Sequence, residues 1–199
     1  DPAFATALGL AFVSPAYADS FVHAETFAHN EGILQDMKVG GSLGDNINVG
    51  YFARDIMATT YDWSAHNFLL QELNVGDNKV PVRLVGQARV ADTDLGAQLG
   101  ASYATKIAER VPFYVAISSS VNKNPVGELV VTGSYADDDA KFEVESILWA
   151  GKDTLDGASN FHLGVFPLEG LYVGQSTGIT YGVSQSLGVI TGVFLRLER

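Results

Sequence analysis

Two stretches decide the fold: LYVGQSTGITYGV at residues 171–183 and SLGVITGVFLRLE at residues 186–198. Odd positions carry Leu171, Val173, Ile179, Tyr181, Val183, Leu187, Val189, Val193, Leu195 and Leu197. Even positions carry mostly Gly, Ser, Thr, Arg and Glu, with Tyr172, Ile190 and Phe194 as exceptions. Successive side chains of a strand point to opposite faces, so each segment has one apolar and one polar side. Repeated over about ten residues per segment, this is the pattern of a transmembrane β-barrel.

The pattern extends upstream through segments bounded by turn chemistry. Phe21–His29 reads as a first strand. Met37–Leu43 and Ile47–Ala53 flank the hairpin signal Gly44-Asp45-Asn46. Residues 54–65 read as a long loop. Asn67–Val75 is the least regular segment, because Phe68, Leu69 and Leu70 interrupt the alternation. Gly76-Asp77-Asn78 repeats the hairpin signal before Val80–Val90. Leu95–Ile107, Val111–Val121, Glu128–Tyr135 and Lys141–Ala150 follow, the last two flanking the acidic turn Ala136–Ala140. A polar loop at 151–160 leads to Phe161–Leu168 and the two closing strands. The reading is all-β: an antiparallel up-and-down transmembrane β-barrel of about twelve strands.

Turn lengths support it. From the second strand on, GDN, GDN, AER, ADDDA and LEG fall at one end, and mostly longer connections at the other. Short turns on one side and long loops on the other match the periplasmic and extracellular ends of bacterial barrels, whose strand number is even. On this alternation, the Gly-rich strands and the turn parity, residues 19–199 resemble the small outer-membrane β-barrel proteins of Gram-negative bacteria. The resemblance is architectural and matches no particular subfamily. It implies an outer-membrane location, the lipid bilayer as partner and a narrow channel, porin-like or structural role. One departure is the C-terminus, Leu195-Arg196-Leu197-Glu198-Arg199, where such barrels usually end on an aromatic residue.

Composition narrows the alternatives. The absence of cysteine removes disulfides, thiolate zinc sites and thiol catalysis. An excess of 23 acidic over 12 basic residues argues against binding nucleic acid or anionic lipid headgroups. Residues 1–18 resemble an export signal: an apolar run at 3–13, then Ala16 and Ala18 in the small-residue cleavage pattern. Phe4, Leu8, Leu10 and Phe12 also alternate with small residues, which suits a strand lent to a neighbouring subunit. The alternative architecture is therefore an exported β-sandwich, a subunit of an extracellular filament. A homo-oligomer is left open.

In lipid every backbone amide must be paired internally, which for strands requires a closed sheet. Parity then places Leu99, Val115, Val144 and Val189 outside. Arg83, Arg89, Lys106, Glu128, Lys141, Glu143 and Glu145 fall on the other face and are expected to line the lumen. A basic one facing lipid at mid-membrane costs roughly 2–4 kcal/mol. Tyr51, Tyr103, Tyr135 and Tyr181 lie on the apolar parity near segment ends, as an interfacial girdle requires.

Chemistry is sparse. The histidines His23, His29, His66 and His162 show no metal-ligand spacing, although His23 and His29 share parity. Ser159 with His162, and Asp62 with His66, are pairs without a third catalytic partner. Asp137–Asp139 and Asp153/Asp156 lack the ordered spacing of a calcium loop and read as solvated turns. The sequence assigns no catalytic residue, no metal and no cofactor.

Overall fold

The computed structural model describes residues 20–29, 32–43, 47–58, 62–73, 82–91, 94–121, 125–153, 155–183 and 187–198; for 29, 32, 34, 42–43, 47–48, 52–58, 62–73, 87, 89–91 and 94–95 it describes the backbone alone. Residues 1–18, and with them the expected export signal or donated strand, lie outside the described residues, as do the turn residues Gly44–Asn46 and Gly76–Asn78.

Among the described residues, twelve strands form one closed ring. They are β1 (Ser20–His29), β2 (Gly32–Leu43), β3 (Ile47–Ala58), β4 (Asp62–Leu73), β5 (Val82–Ala91) and β6 (Asp94–Ala108), then β7 (Val111–Ser120), β8 (Gly127–Ala136), β9 (Ala140–Ala150), β10 (Leu155–Leu168), β11 (Leu171–Gly182) and β12 (Gly188–Glu198). Each strand pairs antiparallel with its sequence neighbours. β1 closes on β12, from Phe21 opposite Glu198 to Ala28 opposite Thr191. Closure removes both sheet edges, so every strand finds ladder partners on two sides. It also overturns the sandwich alternative, which needs two sheets with open edges.

Two expected loops are corrected. Residues 54–65 are mostly strand: β3 runs to Ala58, β4 starts at Asp62, and Met57 pairs with Asp62. Residues 155–160 belong to β10, with Leu155 opposite Ala150 and Ser159 opposite Ser146. The ladder continues there because backbone pairing does not depend on aliphatic side chains. Asp156, Ala158 and Asn160 point to the buried side and small Gly157 and Ser159 to the other, so the usual apolar signal is missing. Phe68–Leu70 pair in unbroken register with Tyr51, Gly50 and Val49, and β4 becomes irregular just beyond them. Asn48 pairs with Glu72 but Val49 with Leu70, so β4 carries an extra residue there. A bulge of this kind shifts the side-chain alternation by one.

Side chains alternate as a closed barrel demands. Leu99 is 64% exposed and Val189 61%; Ile117, Leu163 and Val193 share that outer surface. Tyr103, Tyr135 and Tyr181 are exposed on it, Tyr135 and Tyr181 each near the C-terminal end of its strand, β8 and β11 running in opposite directions. The opposite parity is buried and mixes aromatic with charged residues. Glycines make room for the rings. A Cβ at Gly40 would meet the Phe21 ring at 2.5 Å, at Gly192 the Phe27 ring at 2.8 Å, and at Gly164 the Tyr172 ring at 2.7 Å. The Gly-rich polar parity is thus an inner wall on which large rings lie flat. Gly170, at φ 73°, makes the tight turn between β10 and β11, a conformation that suits glycine. In the turn between β8 and β9 the Asp137 carboxylate accepts the N–H groups of Ala140 at 2.8 Å and Asp139 at 3.0 Å. Those two bonds hold its pKa below the ordinary aspartate value.

Candidate functional site

The inner surface concentrates the chemistry. On β1, alternation puts Phe21, His23, Glu25 and Phe27 on the buried side; on β12 it puts Ile190, Phe194 and Arg196 there. β1 and β12 meet at the seam, with His23 opposite Arg196. β11 adds Tyr172, β10 His162, β9 Glu143 and Glu145, and β2 Asp36 and Lys38.

Arg196 is the hub. It is 2% exposed. Its guanidinium lies 2.8 Å from Glu143 and 3.2 Å from Glu198, its Nε donates to His23 Nδ1 at 3.1 Å, and it stacks over the Tyr172 ring at 5.6 Å. Lys141 joins the same carboxylates, 3.0 Å from Glu143 and 3.1 Å from Glu198. Lys38 lies 3.6 Å from Glu145. Glu25 holds two imidazoles at once: His23 Nε2 at 3.3 Å and His162 Nε2 at 3.0 Å. The two imidazoles are themselves 5.5 Å apart, edge to face, and Phe194 packs against both, its ring 5.7 Å from His23 and 5.0 Å from His162. Tyr172 lies 4.7 Å from Phe194 and donates its hydroxyl to the Lys141 carbonyl at 2.9 Å. Charges in such a dry setting persist only when paired and hydrogen-bonded.

The residues expected to line the lumen fall in different surroundings. Glu143 and Glu145 are buried in this cluster and Lys141 is partly buried beside them. Glu128 is buried on β8 and accepts the Trp149 indole N–H at 2.9 Å. Trp149 flanks an apolar patch of Tyr114, Ala116, Val130 and Ile147 on the same inner face. Arg83 is half-buried on β5, opposite Ser102, and Lys106 is exposed near the end of β6. The Arg89 side chain lies outside the described residues.

Sequence reasoning did not single out His23, Glu25, Asp36, Lys38, His162 or Arg196 as a group. The parity signal was present: each sits on the polar phase of its own strand. Their convergence was not, since Glu25 and His162 are 137 residues apart and meet only through ring closure. The Ser159–His162 pair is excluded by geometry. His162 is buried inside, whereas the Ser159 hydroxyl bonds those of Ser146 at 2.8 Å and Tyr181 at 3.3 Å on the other face. The Asp62 and His66 side chains lie outside the described residues.

The fold is that of the small outer-membrane β-barrel porins. The solved KdgM porin superposes with a TM-score of 0.64, at 8% identity, over 90% of this chain and 99% of its own. The NanC porin gives 0.67 at 8% identity, over 90% and 98%. A KdgM porin in complex with disordered oligogalacturonate gives 0.63 at 9% identity, over 90% and 99%. No family model matches the sequence, and no curated protein does. At this identity the likeness is one of fold.

Proposed function

We propose that this chain is a narrow channel of the Gram-negative outer membrane, passing small polar solutes rather than catalysing a reaction. The observation that carries the proposal is the closed twelve-strand ring with an aliphatic outer face and a charged inner one. Such a ring is a solution to crossing lipid with strands, and twelve strands leave more interior than the side-chain-filled eight-stranded case. Arg83, Arg89, Lys106, Glu128, Lys141, Glu143 and Glu145 are proposed to face the lumen, and the lipid bilayer is the proposed partner of the outer face.

The polyanion in the KdgM complex is not carried over to this chain. Among the described residues the inner wall offers carboxylates at Glu25, Glu128, Glu143 and Glu145, and its cations at Arg196 and Lys141 are already paired to carboxylates. The chain's net charge is −11, and Glu109, Asp137, Asp138, Asp139, Asp153 and Glu169 stand exposed at turns. Acidic mouths raise the local cation concentration, so the channel is proposed to prefer cations. Refolded protein in a planar bilayer under a salt gradient should give small unitary currents with a reversal potential on the cation-selective side. An anion-selective potential would overturn the selectivity. Absence of current would favour the second reading, a plugged structural barrel. The packing of Phe21, Phe27, Tyr172 and Phe194 into the interior supports that reading.

A further inference from the structure

We propose that His23, Glu25 and His162 form a binding site for one divalent transition-metal ion of the zinc class inside the barrel. His23 and Glu25 lie two apart on β1 and so share a face. His162 reaches them from β10, with β12 and β11 between along the wall. All three are at least 97% buried. One donor atom from each lies within 4.8 Å of the other two. His23 Nε2 lies 3.3 Å from Glu25 Oε2, and His162 Nε2 lies 3.0 Å from the other carboxylate oxygen, Oε1. A tetrahedral ion with bonds of about 2.0–2.1 Å spaces its ligand atoms roughly 3.3 Å apart. Each imidazole therefore stands near coordination spacing from the carboxylate, on strands that the closed ladder holds in place. Two imidazoles and one carboxylate suit zinc and leave a fourth position open. Calcium and magnesium favour all-oxygen sets.

Protonation supports the assignment. Arg196 can only donate, so its bond to His23 Nδ1 places the imidazole proton on Nε2, toward Glu25. His162 likewise directs Nε2 at Glu25, which leaves its buried Nδ1 without a hydrogen-bond partner. An ion bound by the two Nε2 atoms moves each imidazole proton to Nδ1, and both rings stay neutral. At His162 that turns the orphaned nitrogen into a donor beside Glu143, its register partner on β9. A carboxylate behind a metal-bound histidine is the usual outer-shell arrangement. At His23 it requires Arg196 to release Nδ1, and Arg196 keeps Glu143 and Glu198 as partners. Ion binding and the Arg196–His23 contact are thus mutually exclusive.

The site rests on the fold and not on conduction, so the bilayer recording and the metal test fail independently. Protein refolded in detergent and titrated with Zn²⁺ should bind one ion per barrel and gain thermal stability that a chelator reverses. Co²⁺ in its place should give the intense visible absorption of four-coordinate cobalt. Glu25→Gln and His162→Gln should each weaken binding by roughly a hundredfold or more, while Gln175→Ala, exposed on the outer phase of β11, should bind as the parent does. Unchanged affinity in folded Glu25→Gln would overturn the site. If the ligand variants do not refold, the parent decides: a Co²⁺ spectrum of hydrated ion only, or no stoichiometric binding, overturns it.

Discussion

Arg196→Met should destabilise the barrel by about 3 kcal/mol, the lower end of the range for stranding a buried charge. The argument lies in what stays behind. Arg196 bonds Glu143 at 2.8 Å, and both residues are 2% exposed. Without the guanidinium, Glu143 keeps Lys141, at 3.0 Å, as its ion-pair partner among the described residues, and His23 Nδ1 loses its donor. Methionine fills the space under Tyr172 but supplies no proton. The variant's urea unfolding midpoint in detergent micelles should fall accordingly. Adding Glu143→Leu should recover much of the loss, because the double variant removes both charges together. A single-variant loss under about 1 kcal/mol would be that of a solvated surface pair. It would mean that the cluster is bathed in water rather than packed.

Val144→Arg should cost a similar amount, about 2–4 kcal/mol, for the opposite reason. Val144 is central in β9, between buried Glu143 and Glu145, and pairs with Phe161 on β10 and Gly133 on β8. Its side chain belongs to the outer phase, so arginine there meets hydrocarbon instead of carboxylates. Insertion into lipid vesicles, followed by electrophoretic mobility before and after heating, should show most of the variant left unfolded. Full insertion would put Val144 at the wrong depth or on the wrong face.

Much of this architecture was legible in the sequence because a barrel is written in a period of two. Strand count, the alternation of β5 to β9 and the closing pair β11–β12 all follow from which residues repeat at every second position. Legibility failed where side chains stop alternating. Residues 155–160 present small and polar groups on both phases and read as a loop, yet they pair along their whole length. At 54–65 the ladder also continues through residues that carry no clean pattern. In β4 the bulge just after Leu70 shifts the phase of the residues beyond it. The inner cluster failed for another reason. Tyr172, Ile190 and Phe194 look like exceptions to a polar phase, and only the closed ring shows that they pack inward over glycines. His23, Glu25 and His162 carry no spacing motif, because their proximity is set by ring closure and not by separation along the chain.

The central claim is that the aliphatic face meets lipid. The chain has no cysteine, so single-cysteine variants at Leu99 and Val189, both on the outer face, can carry a nitroxide label without competing thiols. The deciding measurement is the collision of those labels, in reconstituted vesicles, with oxygen and with a water-soluble nickel complex. The barrel predicts frequent oxygen collisions and few with nickel at both positions. Frequent nickel collisions would show a face in water, and few collisions with either reagent would show a dry protein core; each result would contradict a membrane-spanning barrel.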